Sequence, residues 1–152
     1  MTLAGLTLLT ALGGCASMTP EQQTAVSLAE KTAVPIAARR YVAAGKDPIK
    51  RAEQVLVVAE ALQQAAQAPD LATFSIAKAQ EAAYQAIDSQ EKLSAIDKAD
   101  LKSLVDLAIV VVPLFVPTGS NVALPQTTAD ALLAVSADLA AAVLPYLPVG
   151  GI

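Results

Sequence analysis

Histidine and tryptophan are absent from the 152 residues, and cysteine occurs once, at position 15. Without histidine there is no Ser-His or Cys-His nucleophile pair and no imidazole metal ligand. A lone cysteine forbids an internal disulfide. Ten basic residues face fourteen acidic ones, a net charge of -4. That balance lacks the cationic excess needed to displace counterions, so no nucleic-acid partner is expected. The carboxylates offer no catalytic pair: Glu53 and Glu60 fall on an outward helix face, and Asp97, Asp100 and Asp106 lack the alternation and glycine of a calcium loop. Gly45-Lys46 fails the phosphate-loop pattern, because Arg40 stands where the upstream glycine belongs and Asp47 where Ser or Thr belongs. The expectation is a non-enzymatic chain with no metal and no cofactor other than a covalent lipid, argued below.

What the sequence holds in quantity is small apolar side chains. Hydrophobic residues make up 55% and aromatics 3%, and alanine alone is about a fifth of the chain. This mixture favours thin helices in close approach over thick sheet cores. The expected fold class is all-α, a compact bundle of four to five antiparallel helices over residues 20–147, with a loose tail at 148–152. One domain of this length buries about two-thirds of its unfolded surface.

Helix boundaries follow from caps and breakers. Thr19, Pro20 and Glu21 start a first helix that runs to about Ala44, buries Val26, Ala29, Ala33, Ile36 or Ala37 and Tyr41, and kinks near Lys31 because of Pro35. Gly45 ends it in the left-handed conformation. Asp47-Pro48 starts a second, to about Ala68, with Ile49, Ala52, Leu56, Ala59, Leu62 and Ala66 inward and Arg51, Glu53 and Gln54 outward. Pro69-Asp70 caps a third, with Leu71, Phe74, Ala77, Tyr84 and Ile87 inward. Asp97 and Asp100 start a fourth through Leu101, Leu104, Val105, Ala108 and Val112, its second half apolar all round and hence central. Pro113 to Gln126 reads as an irregular loop. Thr127 and Asp130 then start a fifth helix to about Leu144, with Leu132, Val135, Leu139, Val143 and Tyr146 on one stripe.

The amino terminus is of another kind. Thr2 to Ala11 is an uncharged, Leu-rich run of signal-peptide length, which ends at small residues just before the cysteine. Two glycines and then the polar Ala16-Ser17-Met18-Thr19 make an abrupt change of composition there. The tetrad Leu12-Gly13-Gly14-Cys15 resembles the lipobox of bacterial lipoproteins. The resemblance implies that residues 1–14 are a cleaved signal peptide and that Cys15 carries a covalent lipid, with 15–19 a short tether. The basic residue that opens such peptides is missing, a departure from the pattern that an upstream start codon or a clipped sequence would account for. Ala16 is not the Asp that favours inner-membrane retention, so the resemblance implies the outer membrane, on its periplasmic side.

Two further stretches bear on function. Arg39, Arg40, Lys46, Lys50 and Arg51 are half of all basic residues and surround one helix junction. They are candidates for contact with anionic headgroups, at about 1 kcal/mol each. Lys50 and Arg51 sit at a helix start, where the dipole disfavours cations. Residues 104–147 form an apolar hairpin, but Asp138 near the centre of the last helix costs about 2.5 to 3.5 kcal/mol in a bilayer and offsets its Leu and Val gains. The expected function is a non-catalytic, lipid-anchored envelope protein that meets a protein partner at the membrane surface. A phage-encoded superinfection-exclusion lipoprotein is one concrete form. The alternative is a membrane-perturbing or pore-forming protein using the hairpin 104–147.

Overall fold

The computed structural model describes residues 19–67, 75–115 and 125–148. The expected signal peptide, Cys15 and most of its tether lie outside the described residues, as do Leu71, Phe74 and the tail beyond Pro148. Among the described residues the protein is all-α, with helices α1 (Pro20–Ala43), α2 (Pro48–Ala66), α3 (Ile76–Asp88), α4 (Ala95–Val111) and α5 (Pro125–Val143). Short 3-10 turns, Val112–Phe115 and Leu144–Tyr146, follow α4 and α5. The chain divides into two compact units, residues 1–30 and 31–152. The division falls four residues before Pro35, where the kink was expected, and the helix continues through that proline.

In the first unit, Thr19 and Gln22 form a reciprocal cap. The Gln22 amide donates to Thr19 Oγ1 at 3.2 Å, and the Thr19 amide donates to Gln22 Oε1 at 3.1 Å. Two first-turn donors are thereby satisfied.

The second unit is built around α2, which packs against α3, α5 and, more lightly, α4. Its core holds Leu62, Ile87, Leu101, Leu132 and Leu139, all without exposure. Each such side chain contributes about 1.5 to 3 kcal/mol by leaving water. Between them sit Ala38, Ala52, Ala59, Ala79, Ala83, Ala108 and Ala142, also buried. Alanine at so many contacts lets helix backbones approach closely and loses no rotamer freedom on burial. Helices α3 and α4 run antiparallel: Asp88 meets Lys102 and Lys98, whereas Tyr84 and Gln80, earlier in α3, meet Asp106, later in α4.

Several expected registers shift. The buried stripe of α1 is Val34, Ala38, Tyr41 and Val42, with Ala37, the expected alternative to Ile36, packed against the core. Ala29 and Ile36 are exposed, and the Val26 side chain lies outside the described residues. Ile49 is 45% exposed, and Gln54, expected outside, is buried. Helix α3 starts at Ile76, because Ser75 accepts from the Lys78 amide at 3.1 Å, and Ala77 faces out while Ala79 and Ala83 face in. Helix α4 is capped three residues earlier than expected, at Ser94 rather than Asp97. Ser94 accepts from the Asp97 amide at 3.1 Å and donates to its Oδ2 at 2.9 Å, so Asp97 is the third residue of the cap rather than its head. The second half of α4 is not buried all round, since Val110 is 71% exposed. Within the expected loop, Val112–Phe115 is a 3-10 turn, and α5 begins at Pro125, two residues before Thr127. Proline suits that first position because its missing N–H has no helical acceptor there. The stripe Leu132, Val135, Leu139 and Val143 is buried as expected, with Tyr146 half-buried.

Candidate functional site

The α1–α2 junction is where chemistry concentrates. Asp47 caps α2 through Oδ1, which accepts from the Lys50 amide at 3.1 Å, and Pro48 occupies the first helical position. One turn into α2, the Arg51 side chain turns back across the junction. Its Nη1 donates to the Tyr41 carbonyl at 2.7 Å, one of the last carbonyls of α1, which lack a helical donor. Its Nη2 pairs with Asp97 Oδ1 of α4 at 2.8 Å. The guanidinium carbon lies 4.4 Å from the centroid of the Tyr41 ring, within cation–π range. One side chain thus ties together α1, α2 and α4.

Gly45 makes room for it. A Cβ at this position would fall on Arg51 Cδ and Nε and lie 3.1 Å from Cζ. Its backbone is not in the left-handed region expected for a helix terminator. The glycine is required by the close approach of Arg51, not by its own dihedral angles.

Beneath the guanidinium, the Tyr41 hydroxyl donates to Gln54 Oε1 at 2.6 Å in the interior. Burial, followed by the nearby Asp97 carboxylate, pushes the phenol up to about 12, against the opposing pull of Arg51. Burial of Gln54 is explained by this bond: a buried amide oxygen needs a donor, and Tyr41 supplies it.

The five basic candidates therefore separate. Arg51 is held by two hydrogen bonds and a ring, and the dipole mismatch noted in the sequence is answered by Asp97. Arg39, Arg40, Lys46 and Lys50 are exposed, and none has an ion-pair partner among the described residues. Tyr41, Gln54 and Asp97 were missed as members of the junction. Their partners lie 13 and 46 residues away in the chain, and no local pattern marks such a pairing.

A cleft of about 500 Å³ opens on one side of the junction, between Lys50, Glu53, Gln54 and Val57 of α2 and the turn at Ser89 to Leu93. In its wall, Gln90 Nε2 is buried without a hydrogen-bond partner. A second polar cluster joins α3 to α4. Tyr84 and Gln80 both donate to Asp106 Oδ1, Gln80 at 2.7 Å, and Lys102 pairs with Asp88 at 2.9 Å. The hydrogen bond to Asp106 raises the Tyr84 phenol above its ordinary value. These contacts account for Asp97 and Asp106 as structural carboxylates. Among the described residues no three His, Cys, Asp or Glu side chains are grouped to hold a metal ion.

One span among the described residues, Thr128–Tyr146, is long and apolar enough to cross a membrane, and 44% of it is buried inside the protein. Comparison with protein-family models, with curated proteins and with solved structures finds no match to this chain.

Proposed function

We propose that this chain is a non-catalytic, lipid-anchored envelope protein whose helical domain serves as a protein-interaction module at the periplasmic face of the outer membrane. The observation that carries this reading is the tetrad Leu12-Gly13-Gly14-Cys15 at the end of an apolar run of signal-peptide length. A lipid on Cys15 would leave only Ala16 to Met18 before the cap of α1 at Thr19, a tether that keeps the first helix near the bilayer. Labelling cells with an alkyne-bearing fatty acid tests it. The wild-type chain should incorporate the label and yield a mature N-terminus at Cys15, and Cys15→Ser should abolish both. An unlabelled wild-type chain that retains Met1 to Gly14 would overturn the reading.

The membrane-perturbing alternative for residues 104–147 draws on the length and apolarity of the span Thr128–Tyr146. Against it stands the burial of Leu132, Val135, Leu139 and Val143, which would have to leave the core before α5 entered a bilayer. Release of a trapped dye from vesicles by the purified chain separates the two, since the interaction module releases none.

A further inference from the structure

We infer that the α1–α2 junction is a second membrane contact, a basic and apolar patch that binds an anionic lipid surface through Arg39, Arg40, Lys46 and Lys50 together with Ile36 and Ile49. The inference rests on the lipid-anchored reading for its setting but not for its physics. Ile36 is 44% and Ile49 45% exposed, although both are large and apolar. On α1, Ile36 stands three and four residues before Arg39 and Arg40, so the three share the face turned away from Val34, Ala38 and Val42. On the other side of the turn, Ile49 adjoins Lys50, and Lys46 lies between. An exposed isoleucine flanked by cations is the composition of an interfacial surface, where the apolar group enters the acyl boundary and the cations remain among headgroups.

Charge complementarity selects the occupant. Along the chain from Ile36 to Lys50 the four cations are accompanied by one carboxylate, Asp47, in a chain whose overall charge is -4. From further along, Glu53 and Glu91 line the cleft beside Lys50 and Asp100 the hollow beside Arg40, which among the described residues leaves Arg39 and Lys46 as the cations with no carboxylate on a shared hollow. Asp47 is itself engaged in capping α2. After Lys102 the chain has no basic residue, and α5 carries Asp130 and Asp138. The junction is thus the basic region of an acidic protein and favours one way of meeting an anionic surface. Arg51 takes no part in the contact. It holds the patch in shape, because it fixes the end of α1 to the start of α2 and to α4.

Co-sedimentation of the purified full chain with vesicles tests this, using phosphatidylcholine alone and phosphatidylcholine mixed with phosphatidylglycerol. The apolar N-terminus adds equally to both, so the difference between them is the readout, and lipid on Cys15 is not needed. Binding to the anionic vesicles should be at least about tenfold tighter. Raised salt should remove that preference in the wild-type chain. Arg39→Gln, Arg40→Gln, Lys46→Gln and Lys50→Gln combined should abolish it with helicity retained. Ile36→Asn with Ile49→Asn should weaken binding yet leave the salt dependence. Equal binding of the wild-type chain to both vesicles, or a preference that survives salt, would overturn the proposal. A failure here alongside a lipid found on Cys15 removes the patch and leaves the anchor, and the converse result does the reverse.

Discussion

Arg51 and Asp97 are 46 residues apart in sequence and 2.8 Å apart in the structure, each about three-quarters shielded from solvent. The pair joins the first turn of α2 to the first turn of α4. In α2 it answers a local imbalance, because a cation at a helix start is disfavoured, and the carboxylate that answers it stands at the start of α4, where it is itself favoured.

Removal of either member should therefore cost more than a surface ion pair. Asp97→Ala loses the partner of Arg51 and the carboxylate that accepts from the Ser94 hydroxyl, and is expected to destabilise by about 2 to 3 kcal/mol. Arg51→Gln should cost about 1 to 2 kcal/mol, because Asp97 keeps its capping bond. In urea denaturation the double variant should fall short of the sum by about 1 kcal/mol. Strict additivity would mean that the pair contributes nothing beyond its separate contacts.

Gly45 gives a prediction in which the sign reverses with background. In the wild-type chain, Gly45→Ala places a methyl group where Arg51 runs, displaces the guanidinium from the Tyr41 carbonyl and Asp97, and should destabilise by about 2 kcal/mol. In an Arg51→Ala background the space is open and the backbone is not left-handed. With the three nearest atoms gone, the same substitution should stabilise by about 0.4 to 1 kcal/mol relative to Arg51→Ala alone, by restricting the unfolded chain. Thermal or chemical melts of the four variants read both signs, and destabilisation in both backgrounds would show that Arg51 is not the obstacle.

Tyr41 sets a pH dependence at the alkaline end. Its folded value of about 12 lies above the ordinary 10.0, so below pH 10 both folded and unfolded chains are protonated and no dependence arises from it. Between those two values the unfolded chain ionises first, and stability falls as pH rises. Tyr41→Phe should flatten that part of the profile. It also leaves Gln54 Oε1 buried without its donor, at a cost of about 1 to 3 kcal/mol at neutral pH. Stability measured by urea melts across this range, with and without the substitution, checks the slope. An unchanged slope would assign the alkaline dependence to other groups.

The all-α class and the caps at Thr19 and Asp47 were legible in the sequence because each depends on residues three positions apart. The stripe of α5 was legible too, since Leu and Val recur there against a background of smaller side chains. Helix α1 was misread for the opposite reason. Alanine falls on nearly every face of it, so more than one stripe satisfies helical spacing; Tyr41 belongs to the expected stripe and to the observed one, and Val34, Ala38 and Val42 take the remaining buried places. At α4 the pair Asp97 and Asp100 imitated a capping box and hid the true one at Ser94. At α3 the sequence Pro69-Asp70 drew attention from Ser75. The junction was half legible: its cations were visible, but the partner that distinguishes Arg51 from the rest lies on another helix.

Asp97 serves two bonds at once, Oδ1 to Arg51 and Oδ2 to Ser94. Fraying of the first turn of α4 therefore loosens Arg51, and loss of Arg51 weakens the cap that holds that turn closed. Opening at these two places is one cooperative event rather than two independent ones. The end of α1, the start of α2 and the start of α4 form a single unit of local unfolding, although the chain reaches the third 46 residues after Arg51.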